Sequence, residues 1–249
     1  MRGRRAALSR DRLTVLADHR RALWYAVGLL AVVALMFAGV GVHPTARAPA
    51  TSVRFIGEWD RAVHGWMEDV RSAPLTALAH ALNVLGAGIV TIPLRIVVGA
   101  WLAVRTRWRA FAVWAVTAAM AELLLTLSKS TFHRGRPSGA LVDTGGSFSF
   151  PSGHAVAGAA IAVALVLVVM PAGPARRRWE WAAAGFAFLM GLSRVYLGAH
   201  WLSDVVAGVL LGSGVAVATA AIVTEIRDLA LHRGPHAPAP EPDEAARSS

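Results

Sequence analysis

Cysteine is absent from this chain of 249 residues. Its absence excludes disulfide bonds, thiolate catalysis and metal centres held by cysteine, although it does not identify the redox compartment. Charged residues are also scarce, at 16% of the chain, whereas hydrophobic residues make up 55% and the mean hydropathy is positive. This balance is typical of a membrane protein. Chemistry based on histidine remains open.

Six apolar stretches are long enough to cross a bilayer, for which a helix needs about 20 residues. They cover residues 23–42, 75–103, 109–129, 154–171, 181–198 and 202–224. We therefore expect an all-α protein with one domain over 23–224, an integral membrane bundle of six transmembrane helices. A basic N-terminus, 1–22, precedes it. The segment 225–249 is rich in Pro, Ala and charge, which predicts a disordered tail.

Clusters of arginine indicate how this bundle is oriented. They precede the first span, follow the second and follow the fourth: Arg2, Arg4, Arg5, Arg10, Arg12, Arg20 and Arg21; Arg105, Arg107 and Arg109; and Arg176 to Arg178. With six spans all three clusters fall on one side, which the positive-inside rule makes cytoplasmic, together with both termini. A net charge of +10 can also indicate nucleic acid. Because the arginines lie between apolar segments, we expect no nucleic-acid partner.

The segment 43–73 then faces outward. Within it Phe55, Trp59, Ala62, Trp66 and Val70 recur at helical spacing, with charges on the other faces. This pattern predicts an amphipathic helix lying in the outer membrane interface. Such a helix either shelters a lipid entrance or merely plugs the bundle, and the sequence leaves both alternatives open.

Two ionisable residues fall inside predicted spans, Arg95 in the second and Glu122 in the third. They either pair across a helical hairpin or lie separately, in a wet crevice or on a side chain that reaches the headgroups. Their role is left open.

Three groups of polar residues lie where predicted spans begin or end on the outer side. They run from Lys129 to Pro137, from Pro151 to His154 and from Ser193 to Asp204. Residues that are distant in sequence can therefore meet at one membrane depth, as the parts of an active site must.

His200 and Asp204 are four residues apart on a predicted helix, so both side chains share one face. The carboxylate can hold one ring nitrogen, leave the other free to attack, and stabilise the positive charge that develops. Alternatively, the pair only caps or pins a helix. His154 lies on the same side and can protonate a leaving group and then activate water. Its alternative role is that of a residue at an interfacial helix start.

Lys129, Arg136 and Arg194 add three cations to the same region, which suits a phosphoryl group. Lys129 is the single lysine among 25 basic residues, which indicates that a compact charge is needed there. A solvated loop is the alternative for Arg134 and Arg136.

Next to His154, Gly153 permits close approach of the backbone, and Ser152 with the first amides of the helix can donate to anionic oxygens.

Taken together, these motifs resemble the signature of the phosphatidic acid phosphatase type 2 superfamily: Lys129-x6-Arg136-Pro137, Pro151-Ser152-Gly153-His154 and Ser193-Arg194-x5-His200-x3-Asp204. The resemblance implies that His200 is the nucleophile, Asp204 its orienting partner and His154 the general acid and then base. It implies a phosphate cradle made of Lys129, Arg136, Ser152, Gly153 and Arg194. It further implies hydrolysis of a lipid phosphate or diphosphate through phosphohistidine, without metal or other cofactor. His133 and Arg134 match no signature position.

Other interpretations compete with hydrolysis. Vanadium-dependent haloperoxidases carry a similar signature, but they are soluble proteins, whereas this chain has apolar spans. A membrane phosphotransferase would pass the phosphoryl group to another acceptor, and a transporter or scaffold would use intramembrane charges without catalysis. Against the latter, the charges gather at the outer rim. Phosphatidate, phosphatidylglycerol phosphate and undecaprenyl diphosphate all remain possible substrates. An outward-facing site favours undecaprenyl diphosphate slightly, and the oligomeric state is undetermined.

Overall fold

A computed structural model describes residues 19–40 and 54–232, and every regular element in these ranges is an α-helix. The predicted all-α class is therefore confirmed for the described residues. In chain order the helices are α1 His19–Val40, α2 Arg54–Asp69, α3 Ala73–Gly86, α4 Gly88–Val104, α5 Trp108–Phe132, α6 Gly153–Val169, α7 Pro174–Tyr196 and α8 Leu202–His232. Predictions for 1–18, 41–53 and 233–249 lie outside the described residues. Helix α8 continues to His232, so the predicted disordered tail cannot begin at residue 225.

Helix α6 lies at the centre of the bundle, where α5, α7 and α8 pack around it. Its sequence, GHAVAGAAIAVALVLVV, is apolar on all sides after its first turn, and most of its residues are buried. A helix without a polar face is expected where neighbouring helices cover its whole circumference. Helix α1 packs on the far side of α8, where Leu30 contacts Gly214.

Two glycines let α6 and α8 approach closely. Gly208 and Gly212 are four residues apart, so they lie on the same face of α8. A Cβ atom at Gly212 would lie 2.3 Å from the carbonyl oxygen of Val156, and one at Gly208 would lie 2.9 Å from that of Ser152. Small residues at this spacing commonly bring the backbones of membrane helices together. The contact holds the beginning of α6 against the beginning of α8.

Three helices are long and apolar enough to cross a bilayer: α1 over Ala22–Gly39, α5 over Trp108–Phe132 and α8 over Leu202–Arg227. The bent pair α3 and α4 makes a fourth if it counts as one span, and α6 is apolar but has only 17 residues. Helix α7 is less apolar because it begins with Arg176–Arg178 and Glu180. Length and composition thus support a membrane protein with three or four spans in the described residues, fewer than the six predicted.

The predicted second span, 75–103, is divided. Helix α3 ends at Gly86, α4 begins at Gly88, and their axes differ by 41°. Ala87 between them is extended, with φ −74° and ψ 155°. Glycine weakens a helix on either side of this residue. Gly86 also makes room, since a Cβ there would lie 2.6 Å from Cδ2 of His154.

The predicted amphipathic helix is α2, and its aromatic face points away from the bundle. Phe55, Trp59 and Trp66 are 64%, 55% and 59% exposed. The opposite face, which includes the buried side chains of Asp60 and His64, packs against α7 and α8. The three aromatic residues of the predicted apolar face therefore do not pack against the protein, whereas Val70, just after α2, packs against the core.

Arg95 of α4 and Glu122 of α5 pair across a helical hairpin, with Nη1 and Oε2 3.7 Å apart. Of the two alternatives for these residues, the direct pair is the one observed. The indole Nε1 of Trp114 donates to the carbonyl oxygen of Arg95 at 2.9 Å, which ties the same two helices together.

We expect Gly212→Ala to lower the stability of the protein, by about 1 to 3 kcal/mol, because the new methyl group must push α6 away from α8. Gly185→Ala in α7 is the matched control. Nothing lies within 4 Å of its added Cβ, and alanine favours the helix. Unfolding of both variants in mixed detergent micelles measures the difference. A Gly212→Ala protein as stable as Gly185→Ala would contradict the close packing described above.

Candidate active site

His200 is placed by the way in which α7 ends. The N–H of Gly198 donates to the carbonyl oxygen of Val195 and the N–H of Ala199 to that of Arg194, both at 2.9 Å. These two bonds form a Schellman motif, in which the residue after the helix is left-handed and is usually glycine. Gly198 has φ +70° accordingly. The motif turns the chain sharply and leaves His200 between the end of α7 and the start of α8.

Asp204 lies in the first turn of α8 and is fully buried, at 0% exposure. Its Oδ2 accepts the N–H of Trp201 at 2.9 Å and the hydroxyl of Ser149. The Nδ1 atom of His200 lies 3.5 Å from the same oxygen, at the outer limit of a hydrogen bond. The backbone of Asp204 also takes part, because its carbonyl oxygen accepts the N–H of Ser152 at 3.0 Å. The carboxylate therefore caps α8 and faces the imidazole at once.

Arg136 and Lys129 converge beside His200. The Nη1 atom of Arg136 lies 3.1 Å from Nε2 of His200 and donates to the carbonyl oxygen of Ala199 at 2.5 Å. The carbonyl oxygen of Phe148 accepts from both cations, at 2.5 Å from Nζ of Lys129 and 3.3 Å from Nη2 of Arg136. Two of the three predicted cradle cations thus share one acceptor.

These contacts fix the protonation of the His200 ring. A guanidinium group can only donate, so Nε2 of His200 accepts from Arg136. The ring proton is then on Nδ1, which faces the carboxylate of Asp204. This tautomer leaves the Nε2 lone pair directed towards the cations, as a nucleophilic nitrogen requires.

His154 contacts a residue that the sequence motifs did not include. Its Nε2 lies 3.1 Å from the carbonyl oxygen of Asn83, and the side-chain oxygen of Asn83 accepts from Nη1 of Arg194. The break after α3 leaves this carbonyl available, because the N–H of Ala87 bonds instead to Val84. Asn83 thereby connects one predicted catalytic histidine to one predicted cradle arginine. A single asparagine inside an apolar span was the signal that could have identified it.

Ser152 and Gly153 stand at the N-terminus of α6, immediately before His154. Ser152 is fully buried, and its hydroxyl has no hydrogen-bond partner in the described part of the chain. The Nε atom of Arg194 is likewise buried without a partner there. Both groups are donors that an anionic oxygen could use.

The predicted site residues share one electrostatic environment. The charge of Arg136 acts on Lys129, Arg194, His154 and His200. Within residues 19–40 and 54–232, no three His, Asp or Glu side chains group in a way that could hold a metal ion. The structure therefore brings all eight predicted residues into one cluster, in which the charges near the histidines are mainly cations. The eight are His200, His154, Asp204, Lys129, Arg136, Ser152, Gly153 and Arg194.

The most deeply buried cation of the site is Arg134, which is 1% exposed. Its Nη1 donates to Oδ1 of Asp204 and, at 2.7 Å, to the hydroxyl of Ser203, while Nη2 donates to Asp60 at 2.6 Å. The interpretation of Arg134 as part of a solvated loop is therefore wrong. Asp60 was expected among the charges of an outward-facing segment, yet it is buried. Its place opposite the aromatic face of α2 was the available signal.

Burial and charge shift the pKa values of the groups in the loops. Burial lowers the pKa of His200 from 6.5 to about 4; Asp204 opposes this shift, and Arg136 and Arg194 reinforce it. Burial also lowers the pKa of Arg136, against the influence of Asp204. For Arg134 burial acts in the same direction, but the carboxylates of Asp204 and Asp60 outweigh it, and the pKa is raised. His200 is thus neutral and Arg134 charged at neutral pH.

Comparison with known proteins places the chain in a family. A model described as the PAP2 superfamily matches residues 95–228, more than half of the chain. Phosphatidylglycerophosphatase B of Bacillus subtilis is 34% identical over 152 residues, which cover 59% of this chain and 70% of that protein. An undecaprenyl-diphosphatase of Sulfolobus acidocaldarius is 39% identical over 70 residues, 28% of this chain and 31% of that protein.

A solved structure gives the same result for the fold. The crystal structure of a transmembrane PAP2-type phosphatidylglycerolphosphate phosphatase from Bacillus subtilis superposes with a TM-score of 0.65 at 26% sequence identity. The match covers 85% of this chain and 100% of that one. With its apolar helices and this membrane relative, the chain is a membrane protein, and it belongs to the PAP2 superfamily.

Proposed function

We propose that the protein hydrolyses a lipid phosphate or diphosphate through a phosphohistidine intermediate on His200, without a metal ion. The observation that carries this proposal is the fixed imidazole. Asp204 lies on its Nδ1 side, and the Nε2 lone pair faces Arg136 within a cluster of cations. A neutral, oriented ring beside several cations suits attack on a phosphoryl group, whose charge spreads over its oxygens.

In the first step Nε2 of His200 attacks phosphorus, and the bond from phosphorus to the leaving oxygen breaks. His154 enters this step protonated and gives this oxygen its proton. Arg136 must move from Nε2 to a phosphoryl oxygen, where its planar group can bind two oxygens. In the second step His154 takes a proton from water, the water attacks phosphorus, and the bond to His200 breaks. Asp204 stabilises the ring while it is positively charged.

The phosphate cradle in this proposal is made of Lys129, Arg136 and Arg194 with the hydroxyl of Ser152. The backbone N–H of Gly153, the first residue of α6, adds one more donor where the helix dipole favours an anion. Fixed cations and donors of this kind stabilise the charge of the transition state more than that of the ground state.

Among lipid substrates we favour phosphatidylglycerol phosphate. Two relatives are described by that activity. One is the Bacillus subtilis protein of which this chain covers 70%, and the other is the solved structure, which the match covers in full. The undecaprenyl-diphosphatase is matched over 31% of its length, so undecaprenyl diphosphate is the second candidate. This order reverses the slight preference drawn from the sequence alone.

We further propose that residues 23–224 form one catalytic domain of six spans, with α3 and α4 as the bent second span and α6 and α7 as the fourth and fifth. Both termini are then cytoplasmic, and the active site faces outward. Helix α2 lies in the outer interface with Phe55, Trp59 and Trp66 towards the lipid, where aromatic rings are favoured. The exposure of this face supports the assignment.

Purified protein should release phosphate from phosphatidylglycerol phosphate in the presence of a chelator, and His200→Ala should lower kcat/KM by a factor on the order of a thousand or more. His80→Ala is the control, because His80 is an exposed histidine on α3. Undecaprenyl diphosphate and phosphatidate complete the panel. Turnover that survives in His200→Ala, or that stops with chelator, would overturn the mechanism.

Acid should destabilise the protein through His200. Because its folded pKa, about 4, lies below the ordinary 6.5, the unfolded chain takes up a proton between these values that the folded chain does not. The stabilisation that the neutral ring of His200 contributes above pH 6.5 is therefore lost as the pH falls from 6.5 towards 4. On going from pH 7 to 4.5 the wild type should lose more stability than His200→Gln, by an amount on the order of 2 kcal/mol. Unfolding in mixed micelles at both pH values measures this, and equal losses would contradict it.

Topology can be tested with introduced cysteines, since the chain has none of its own. Ser138 lies in the exposed loop between α5 and α6, and Ala175 is exposed in the first turn of α7. In intact cells a membrane-impermeant thiol reagent should label Ser138→Cys but not Ala175→Cys. Permeabilised cells should show labelling of both. The reverse pattern in intact cells would place the active site on the cytoplasmic side.

A further inference from the structure

A buried ion cluster lies directly behind the proposed nucleophile. Arg134 stands between two carboxylates, with Nη1 bonded to Oδ1 of Asp204 and Nη2 2.6 Å from Oδ2 of Asp60. All three side chains are almost completely buried. Asp60 belongs to α2 and lies outside residues 95–228, which match the family model. Asp204 is therefore the one signature residue of the three, and the signature does not account for Asp60 or Arg134.

Asp60 is held only by donors. Its Oδ1 accepts the N–H of Ser203 at 2.9 Å, and its Oδ2 accepts the hydroxyl of Ser203 and Nη2 of Arg134, both at 2.6 Å. A carboxylate is the form that accepts such a set of bonds. Two carboxylates and one guanidinium leave the cluster with one net negative charge.

Aromatic rings lie around this cluster and help its negative charge to act on neighbouring groups. The indole ring of Trp201 lies over the guanidinium of Arg134, at 5.7 Å, and against the ring of His64, at 5.6 Å. Interactions between charges are stronger where water is excluded. Removing Asp60 would leave Arg134 to neutralise Asp204 alone.

The negative charge of this cluster matters in the proposed mechanism because the ring of His200 becomes positively charged. Before attack the ring of His200 is neutral, with its proton on Nδ1. When the bond from Nε2 to phosphorus forms and the bond to the leaving oxygen breaks, the ring retains its Nδ1 proton and becomes positively charged. A neighbouring cluster with one negative charge stabilises this ring, whereas a neutral cluster does not.

We infer that Asp60 and Arg134 are positioning residues for the phosphohistidine step: Asp60 balances Arg134, so that the charge of Asp204 remains available to the phosphorylated ring of His200. The inference rests on the proposed function. It extends the pair of His200 and Asp204 to a set of four residues and gives the inner face of α2 a part in catalysis.

The test follows one turnover of phosphatidylglycerol phosphate that is radiolabelled in its terminal phosphate, with rapid quenching. In Asp60→Asn the rate constant for labelling of the protein should fall by about tenfold or more, and that for loss of the label should rise. The substrate concentration that half-saturates labelling should change little, because Asp60 bonds to Ser203 and Arg134 and not to the residues of the phosphate cradle. A role in folding alone would alter how much protein is labelled, but not the ratio of the two rate constants.

Asp69→Asn is the matched control, since Asp69 is an exposed aspartate on the same helix, and both constants should match the wild type. A double variant, Asp60→Asn with Arg134→Gln, keeps one negative charge on Asp204. Its labelling should be faster than in Asp60→Asn alone. If the two residues acted only by holding Asp204 in place, the double variant would be the slower one.

The outcomes separate the two proposals. Normal label kinetics in Asp60→Asn would overturn this inference and leave the phosphohistidine mechanism standing. Phosphate release by a wild type that never carries label would overturn both. If Asp60→Asn does not fold, Arg134→Gln is compared with the double variant. The ratio of labelling to loss should be higher in Arg134→Gln, which retains two carboxylates, and equal ratios would refute the role of charge.

Discussion

The burial of the Asp204 carboxylate is the constraint on which the rest of the site depends. An ionised group without water is costly unless it is paired and hydrogen-bonded. Here Arg134, the hydroxyl of Ser149 and the N–H of Trp201 meet that requirement. Arg134 and Ser149 lie in the loop before α6, and Trp201 directly precedes α8, so satisfying one charge fixes this loop, the start of α8 and, through it, the ring of His200.

Close approach between helix backbones also holds the parts of the site together. At Gly208 and Gly212 the start of α6 is held against α8, and at Gly198 the chain turns from α7 into α8. Gly86 lets the imidazole of His154 reach the end of α3. Larger side chains at these points would separate the helix ends that carry the charged groups. In a membrane, where the hydrophobic effect adds little to helix association, such packing contributes much of the cohesion.

Local patterns indicated which residues lie together in the cluster, but not the contacts that support it. Helical spacing predicted that His200 and Asp204 face each other, and they do, but His200 precedes α8 and is placed by the turn at Gly198. Asp60 could not be found in this way, because its contact with Ser203 spans 143 positions. Hydrophobicity also concealed the break at Ala87, and it overestimated the number of long apolar helices. These features depend on close contacts between helices, which a sequence read one segment at a time does not contain.

The orientation of α2 limits how it can fill either of the two roles that the sequence left open for it. In water an amphipathic helix turns its apolar face to the protein, but beside a bilayer the lipid can take that face and the protein the polar one. Asp60 then bonds to Arg134 and Ser203, and Arg71, just after the helix, bonds to the carbonyl oxygens of Tyr196 and Gly139. A lid would have to break the buried pair each time it opened, which costs several kcal/mol when one partner is left unpaired. The buried pair therefore holds the polar face of α2 against the bundle.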